Sequence, residues 1–273
     1  MAGLNRNKLK DLLRYWPRGT VAVHAWLESQ GIYRQLADSY VDSGWILPVG
    51  RGAFVRAGDQ VDWLGALYAV QQQLGQHVHV GGKTALALHG SGHFLSMKAR
   101  GNLASSGGTV WLFSTAGHAL PAWLLRGDWG VTFRVARLAL LSPDATDGIE
   151  HLDVGHAGGF TIDVSSRERA ILEVLHLVPH KQSFEEGQLL MEGLTTLRPS
   201  LLQSLLVRCR SVKTKRLFLY LAEAAGHPWL RRLDISTIDL GSGKRVIVKG
   251  GAFDPKYQIT VPRQAYHSSR EVG

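Results

Sequence analysis

The chain has 273 residues, enough for two domains, and its apolar content of 45% supports packed cores. It holds no run of eighteen apolar residues, and its first residues, MAGLNRNKLKD, carry no apolar signal segment, so the expectation is a cytoplasmic protein without membrane contact. The lone cysteine, Cys209, excludes an internal disulfide and reads as a small core residue in an apolar helix, while the net charge of +9 favours an anionic partner.

In chain order, the first clear pattern is the run from Thr20 to Val55. Val21, Val23, Trp26 and Leu27 form a short apolar-periodic segment that Gly31 ends. Ile32, Leu36 and Tyr40 recur at helical spacing until Gly44, so they share one inward face. Trp45 to Leu47 and Ala53 to Val55 flank the turn residues Pro48 to Gly52. This order is helix, tight turn, helix and β-hairpin, the plan of a winged helix-turn-helix that binds double-stranded DNA. Tyr33, Arg34, Gln35 and Ser39 then fall on outward or flanking faces of the second helix. Arg34 and Gln35 lie in its first turn, where an arginine can fork onto guanine and a glutamine onto adenine. Lys8, Lys10, Arg14 and Arg18 from the preceding segment, and Arg51 from the hairpin tip, suit phosphates or the minor groove. A solvated helical module that binds protein is the competing reading.

The hairpin ends at Ala57 to Gln60, which sets expected domains of 1–60 and 61–273. Asp62 should cap a helix over WLGALYAVQQQLG. Strands are expected at 77–80, 109–114, 131–135 and 160–164, with a short helix over Lys83 to His89. Ser165 or Ser166 should cap a helix beginning at Arg167, and helices fill most of the chain to Gly226. The tail returns to strands at 235–239, 245–248 and 257–261, with a turn at Leu240 to Gly243. The fold class is therefore α+β, an N-terminal winged helix-turn-helix followed by a larger mixed α/β C-terminal domain.

Charge is spread unevenly. Residues 1–60 carry net +3, 61–197 carry −3, 198–249 carry +8 and 250–273 carry +1. Arg208, Arg210, Lys213, Lys215, Arg216, Arg231, Arg232, Lys244 and Arg245 therefore suggest a second basic surface. Arg208 and Lys215, seven apart, could share one exposed helical face, or the block could simply solubilise the fold.

Chemical motifs fail on inspection. Gly81-Gly82-Lys83-Thr84 follows a strand, but a phosphate loop needs a glycine where His77 stands. His89 and His93 are separated by helix-breaking glycines, and His77 and His79 have no further metal ligands nearby. Asp153, Asp163 and Glu168 lack the acid-x-Lys pair of a metal-dependent nuclease, and Glu168 and Glu173 fit a helix surface. The reading is therefore no catalytic residues, no metal and no cofactor.

The chain resembles the AbiEi family, the antitoxin and transcriptional-regulator half of type IV toxin–antitoxin systems. The resemblance rests on 44–54 (GWILPVGRGAF), 81–90 (GGKTALALHG), 167–175 (RERAILEVL), 211–219 (SVKTKRLFL), 239–245 (DLGSGKR) and 259–262 (ITVP), and it covers nearly the whole length. It implies repression of the protein's own operon through inverted repeats. It also implies a nucleotidyltransferase-like toxin as functional partner, countered without stable contact, and it transfers no catalytic residues. The alternatives are a stand-alone regulator whose C-terminal domain senses a ligand in a pocket lined by Trp111, Phe113, Trp123, Trp129 and Phe133, or a DNA-processing enzyme.

Overall fold

The computed structural model describes residues 2–90, 108–114, 119–137, 140–142, 145–154 and 159–265. His93 lies outside the described residues. The chain forms two compact units, one of Met1–His79, His93–Ala136 and His151–Val164, the other of Val80–Gly92, Arg137–Glu150 and Ser165–Gly273.

The first unit begins with α1 (Ala2–Tyr15), β1 (Ala22–Val23), α2 (His24–Ser29), α3 (Arg34–Asp42), β2 (Ile46–Gly50) and β3 (Ala53–Arg56). These strands pair in the order β1-β3-β2, the three-stranded sheet of a winged helix. Pro48 sits in the edge strand β2 at an irregular register, where its missing N–H is tolerated. Leu9, Leu12, Trp16, Leu27, Ile32, Ala37, Tyr40, Ile46 and Phe54 bury one shared core.

Two local expectations shift. Val21 and Val23 are extended rather than helical, because this stretch supplies the third strand of the wing. Ile32 precedes α3, since Tyr33 is its extended N-cap residue, and the helix turns Ala37 and Tyr40 inward. Gly31 makes the turn between α2 and α3 at φ +76°, a conformation glycine adopts without strain.

The winged helix does not close on itself at residue 60. Asp62 caps α4 (Trp63–Tyr68) by accepting from the amides of Leu64 and Gly65 at 2.9 and 3.2 Å. Gly65 packs so closely that a Cβ there would fall 1.8 Å from the Gly19 carbonyl oxygen. Its own carbonyl accepts from Val21 N–H at 3.2 Å. The Gln73 amide then closes the free edge of β1, accepting from Val23 N–H at 2.8 Å and donating to Val21 O at 3.0 Å.

Beyond it runs a five-stranded sheet in the order β6-β5-β4-β8-β7. Its strands are β4 (Val78–Val80), β5 (Gly108–Ser114), β6 (Val131–Arg137), β7 (Ile149–Val154) and β8 (Phe160–Ser165), and β7 is a strand the sequence pattern does not reveal. Gln71, which is buried, bridges β4 to β8 by donating to Val78 O at 2.8 Å and accepting from Asp163 N–H at 2.9 Å. The short helix α6 (Ala122–Arg126) lies between β5 and β6 in the chain.

The second unit is mostly helical: α5 (Gly82–Gly90), α7 (Arg167–Leu177), α8 (Phe184–Glu192), α9 (Pro199–Arg208) and α10 (Val212–Ala224). Ser166, not Ser165, caps α7. The tail departs from expectation. Residues 235–237 form a 3-10 turn rather than a strand, because Asp234 Oδ1 accepts from Ser236 N–H at 3.1 Å and curls the chain. β9 (Arg245–Val246) runs parallel to β11 (Ile259–Val261), and an unforeseen β10 (Ala252–Asp254) pairs antiparallel with β11.

A fragment ending at residue 60 loses Gly65 and Gln73, and with them the partners of Val21 and Val23. Orphaned buried backbone groups cost roughly 1–3 kcal/mol each, a large share of a small domain's stability. The 1–60 fragment is therefore expected to lack a cooperative thermal transition by circular dichroism, while the full chain shows one. A sharp transition in the fragment would mean that the winged helix is self-sufficient.

Candidate nucleic-acid interface

Local geometry places the α3 residues as the sequence pattern expects. Tyr33, Arg34, Gln35, Asp38 and Ser39 are all exposed, and Arg34 and Gln35 occupy the first helical turn. α3 also carries Asp38 and Asp42, so its outward face mixes donors with carboxylates. Arg51 is exposed at the tip between β2 and β3. The wing further presents Trp45 and Leu47 to solvent, about half exposed, which the helical pattern does not reveal.

The α1 cations divide by role. Lys10, Arg14 and Arg18 are exposed. Lys8 Nζ donates to the Gly31 carbonyl at 3.3 Å, so it fastens α1 to the turn before α3. Arg56, in β3, is buried and stabilises the fold. Its Nη2 donates to Leu13 O at 2.8 Å, and its guanidinium lies 5.4 Å from the Trp16 ring centre. Burial lowers its pKa, opposed by Asp59 and reinforced by Arg18.

The second basic surface does not survive as a single face. Lys215 and Arg216 are buried, at 3% exposure each. Arg216 grips the tail turn, donating to the carbonyls of Leu240, Gly241, Gly243 and Gln258 at 2.6–3.3 Å. Lys213 Nζ donates to His176 O at 2.7 Å and also to Val178 O, satisfying carbonyls at the end of α7, and burial lowers its pKa. Arg208 pairs with Asp147 and lies on α9, whereas Lys215 lies on α10, so the two share no helical face. Arg208, Arg210, Arg231, Arg232 and Lys244 are exposed, Arg208 within its ion pair, while Arg245 is half-buried and Lys244 lies 4.9 Å over the Phe253 ring.

Of the carboxylates weighed for catalysis, Asp163, Glu168 and Glu173 are engaged in structure. Glu168 and Glu173 are buried rather than on a helix surface. Burial raises the Glu168 pKa, but hydrogen bonds and charge from Arg198 outweigh it and hold the carboxyl below its usual value. Glu173 accepts from Gly82 N–H at 2.9 Å, Ser165 Oγ at 2.9 Å and Arg169 Nε at 3.1 Å. The Gly82 amide, which a phosphate loop would offer to a nucleotide, is thus taken by a side chain. Asp163 pairs with His151 at 2.7 Å, and Asp153 is exposed. His77 is exposed and His79 is buried, stacked on Phe113 at 5.9 Å, so β4 is buried rather than half-buried. Among the described residues no group of three or more His, Cys, Asp or Glu is placed to hold a metal ion. Nor is any described helix long and apolar enough to cross a membrane. Trp111, Phe113, Trp123 and Trp129 are buried, with Phe133 partly so, and therefore build core rather than line one common pocket, although Trp123 also reaches a surface groove.

Residues 5–97 match the family model described as transcriptional regulator, AbiEi antitoxin N-terminal domain. Residues 107–262 match the one described as transcriptional regulator, AbiEi antitoxin, type IV TA system. No curated protein matches the chain. Among solved structures, the RV2827C protein from Mycobacterium tuberculosis is similar at a TM-score of 0.58 and 14% identity, covering 97% of this chain and 93% of that one. At that identity the likeness is one of fold.

The burial of Arg216 separates a structural role from a binding role. Arg216→Ala strands four carbonyls in the tail turn and is expected to lower stability by roughly 3–5 kcal/mol, read as the shift in a urea unfolding curve. The double variant Arg231→Ala and Arg232→Ala should stay within about 0.5 kcal/mol of the parent, since both side chains are exposed. An Arg216→Ala curve superimposing on the parent's would return that residue to the surface.

Proposed function

Since the chain belongs to the AbiEi family of antitoxins and transcriptional regulators of type IV toxin–antitoxin systems, we propose that its winged helix represses the operon that encodes it. The observation that carries this reading is the exposed first turn of α3, Arg34 and Gln35, beside a wing whose tip is Arg51. In this assignment α3 enters the major groove, Arg34 forks onto guanine and Gln35 onto adenine. Tyr33 and Ser39 flank that contact, while Lys10, Arg14, Arg18 and Arg51 hold phosphates. Lys8 sets the position of α3 through the Gly31 carbonyl.

Two copies bind the two halves of an inverted repeat, which raises both affinity and specificity over a single half-site. The toxin partner is a nucleotidyltransferase-like protein, countered without a stable complex. The second unit carries the antitoxin role, and its exposed cations Arg210, Arg231, Arg232 and Lys244 are where an anionic partner of that role would be met. The two domains of the assignment are the DNA-binding winged helix at its N-terminal end and the larger remainder. The burial of Trp111, Phe113, Trp123 and Trp129 gives no support to a ligand-sensing alternative.

DNA selected for binding to the full-length protein provides the test. Arg34→Ala should lose roughly 1–3 kcal/mol on the selected site and relax base preference at particular positions. Arg51→Ala should weaken selected and unrelated duplexes alike. Unchanged affinity in both variants would defeat the assignment of this surface, and a selected site without inverted-repeat symmetry would defeat the two-copy arrangement.

A further inference from the structure

The wing is seated on a rigid neighbour within its own unit. A Cβ on Gly50, the last residue of β2, would fall 2.5 Å from Trp123 Cβ, so only glycine allows this approach. Trp123 belongs to α6, is 8% exposed, and meets Trp129 edge-on with ring centres 6.4 Å apart. The Trp129 indole N–H lies 2.9 Å from Leu124 O and 3.3 Å from Trp123 O, which also accepts from Gly127 N–H at 3.1 Å, so the indole reinforces the end of α6. Gly127 sits tight against the same indole, where a Cβ would fall 2.4 Å from Trp129 Nε1. The backbone that carries Arg126 is thereby held in place.

Between the wing tip and α6 lies an open groove of about 520 Å³, whose lining includes Val49, Arg51, Pro121, Trp123 and Arg126. Both arginines are exposed, and among the described residues neither meets a carboxylate, whereas Arg198 and Arg208 are held by Glu168 and Asp147. Two arginines lining one groove supply guanidinium groups complementary to a phosphodiester, which guanidinium forks grip in a bidentate way.

We propose that the groove between the wing and α6 is a backbone-phosphate site of the DNA-binding surface, gripped by Arg51 from one side and Arg126 from the other. This rests on the winged helix being the DNA reader, and it extends that surface to a residue more than sixty positions beyond the wing. Because the wing and α6 are locked together through Gly50 and Trp123, the two cations present one preformed site. Preorganisation of this kind spares the cost of ordering two independent backbone segments.

The test uses the full chain and fluorescence anisotropy on two duplexes, the selected operator and an unrelated sequence, over a salt series. Arg126→Gln is expected to weaken both duplexes by the same factor, roughly five- to tenfold, and to flatten the salt dependence by about one phosphate contact. The melting temperature should not change, because the side chain is exposed. Arg126→Lys should restore the salt slope but only part of the affinity, since it keeps the charge and loses the fork. If Arg126→Gln leaves both affinities and the slope unchanged while Arg34→Ala weakens the operator, the groove is not a phosphate site and the winged-helix reading stands. A loss confined to one duplex would make Arg126 a base reader and overturn the backbone role. A parent protein with no affinity for either duplex would overturn both readings together.

Discussion

Buried backbone must find hydrogen-bond partners, and at residues 21–24 that need governs the geometry of the N-terminal module. β1 is two residues long and has the wing strand β3 on one side only. Its other edge meets the side-chain amide of Gln73, which supplies an acceptor to Val23 and a donor to Val21. His24 N–H in turn donates to Gly52 O at 2.8 Å, so the start of α2 is pinned to the wing tip. The angle between the helices and the wing is therefore set by a strand too short to be stable alone. A polar side chain from outside the motif acts as its missing neighbour.

The second unit solves a similar problem with buried charge. Arg169 and Glu173 are at most 1% exposed and lie one helical turn apart on α7. The Glu173 carboxylate also accepts from Ser165 and from Gly82, while Arg169 donates to the carbonyls of Ala145 and Asp147. A buried pair is tolerated when its remaining lone pairs and protons are satisfied, and here they are shared among separate segments of the chain. Arg216 repeats the device with carbonyls alone. Part of the basic charge between 198 and 249 is thus consumed inside the fold, by Lys213, Lys215 and Arg216, and part is held in the ion pairs of Arg198 and Arg208.

For a transcriptional regulator of this family, the arrangement puts rigidity where recognition needs it. The Trp16 indole donates to Thr20 O at 3.1 Å and stacks beneath Arg56, which holds the exit of α1 against β3. Lys8 reaches the turn before α3. With that turn held, α3 packs against α2 and β2, so its first turn is offered in a defined orientation.

The sequence by itself determined the order of the winged helix, the cap at Asp62, most of the sheet strands and the family. Glycine punctuation, helical spacing and capping residues are local signals, and they survive without knowledge of the fold. It also placed Arg34, Gln35 and Arg51 on turns and helix ends, whose exposure follows from local periodicity. The tertiary structure alone decided that β1 is a strand, that β7 and β10 exist, and that residues 235–237 coil instead of extending. It alone decided that Lys215 and Arg216 face inward and that Arg126 lines the same groove as Arg51. Those outcomes depend on partners far away in the chain. An arginine on paper is the same residue whether four distant carbonyls converge on it or none do.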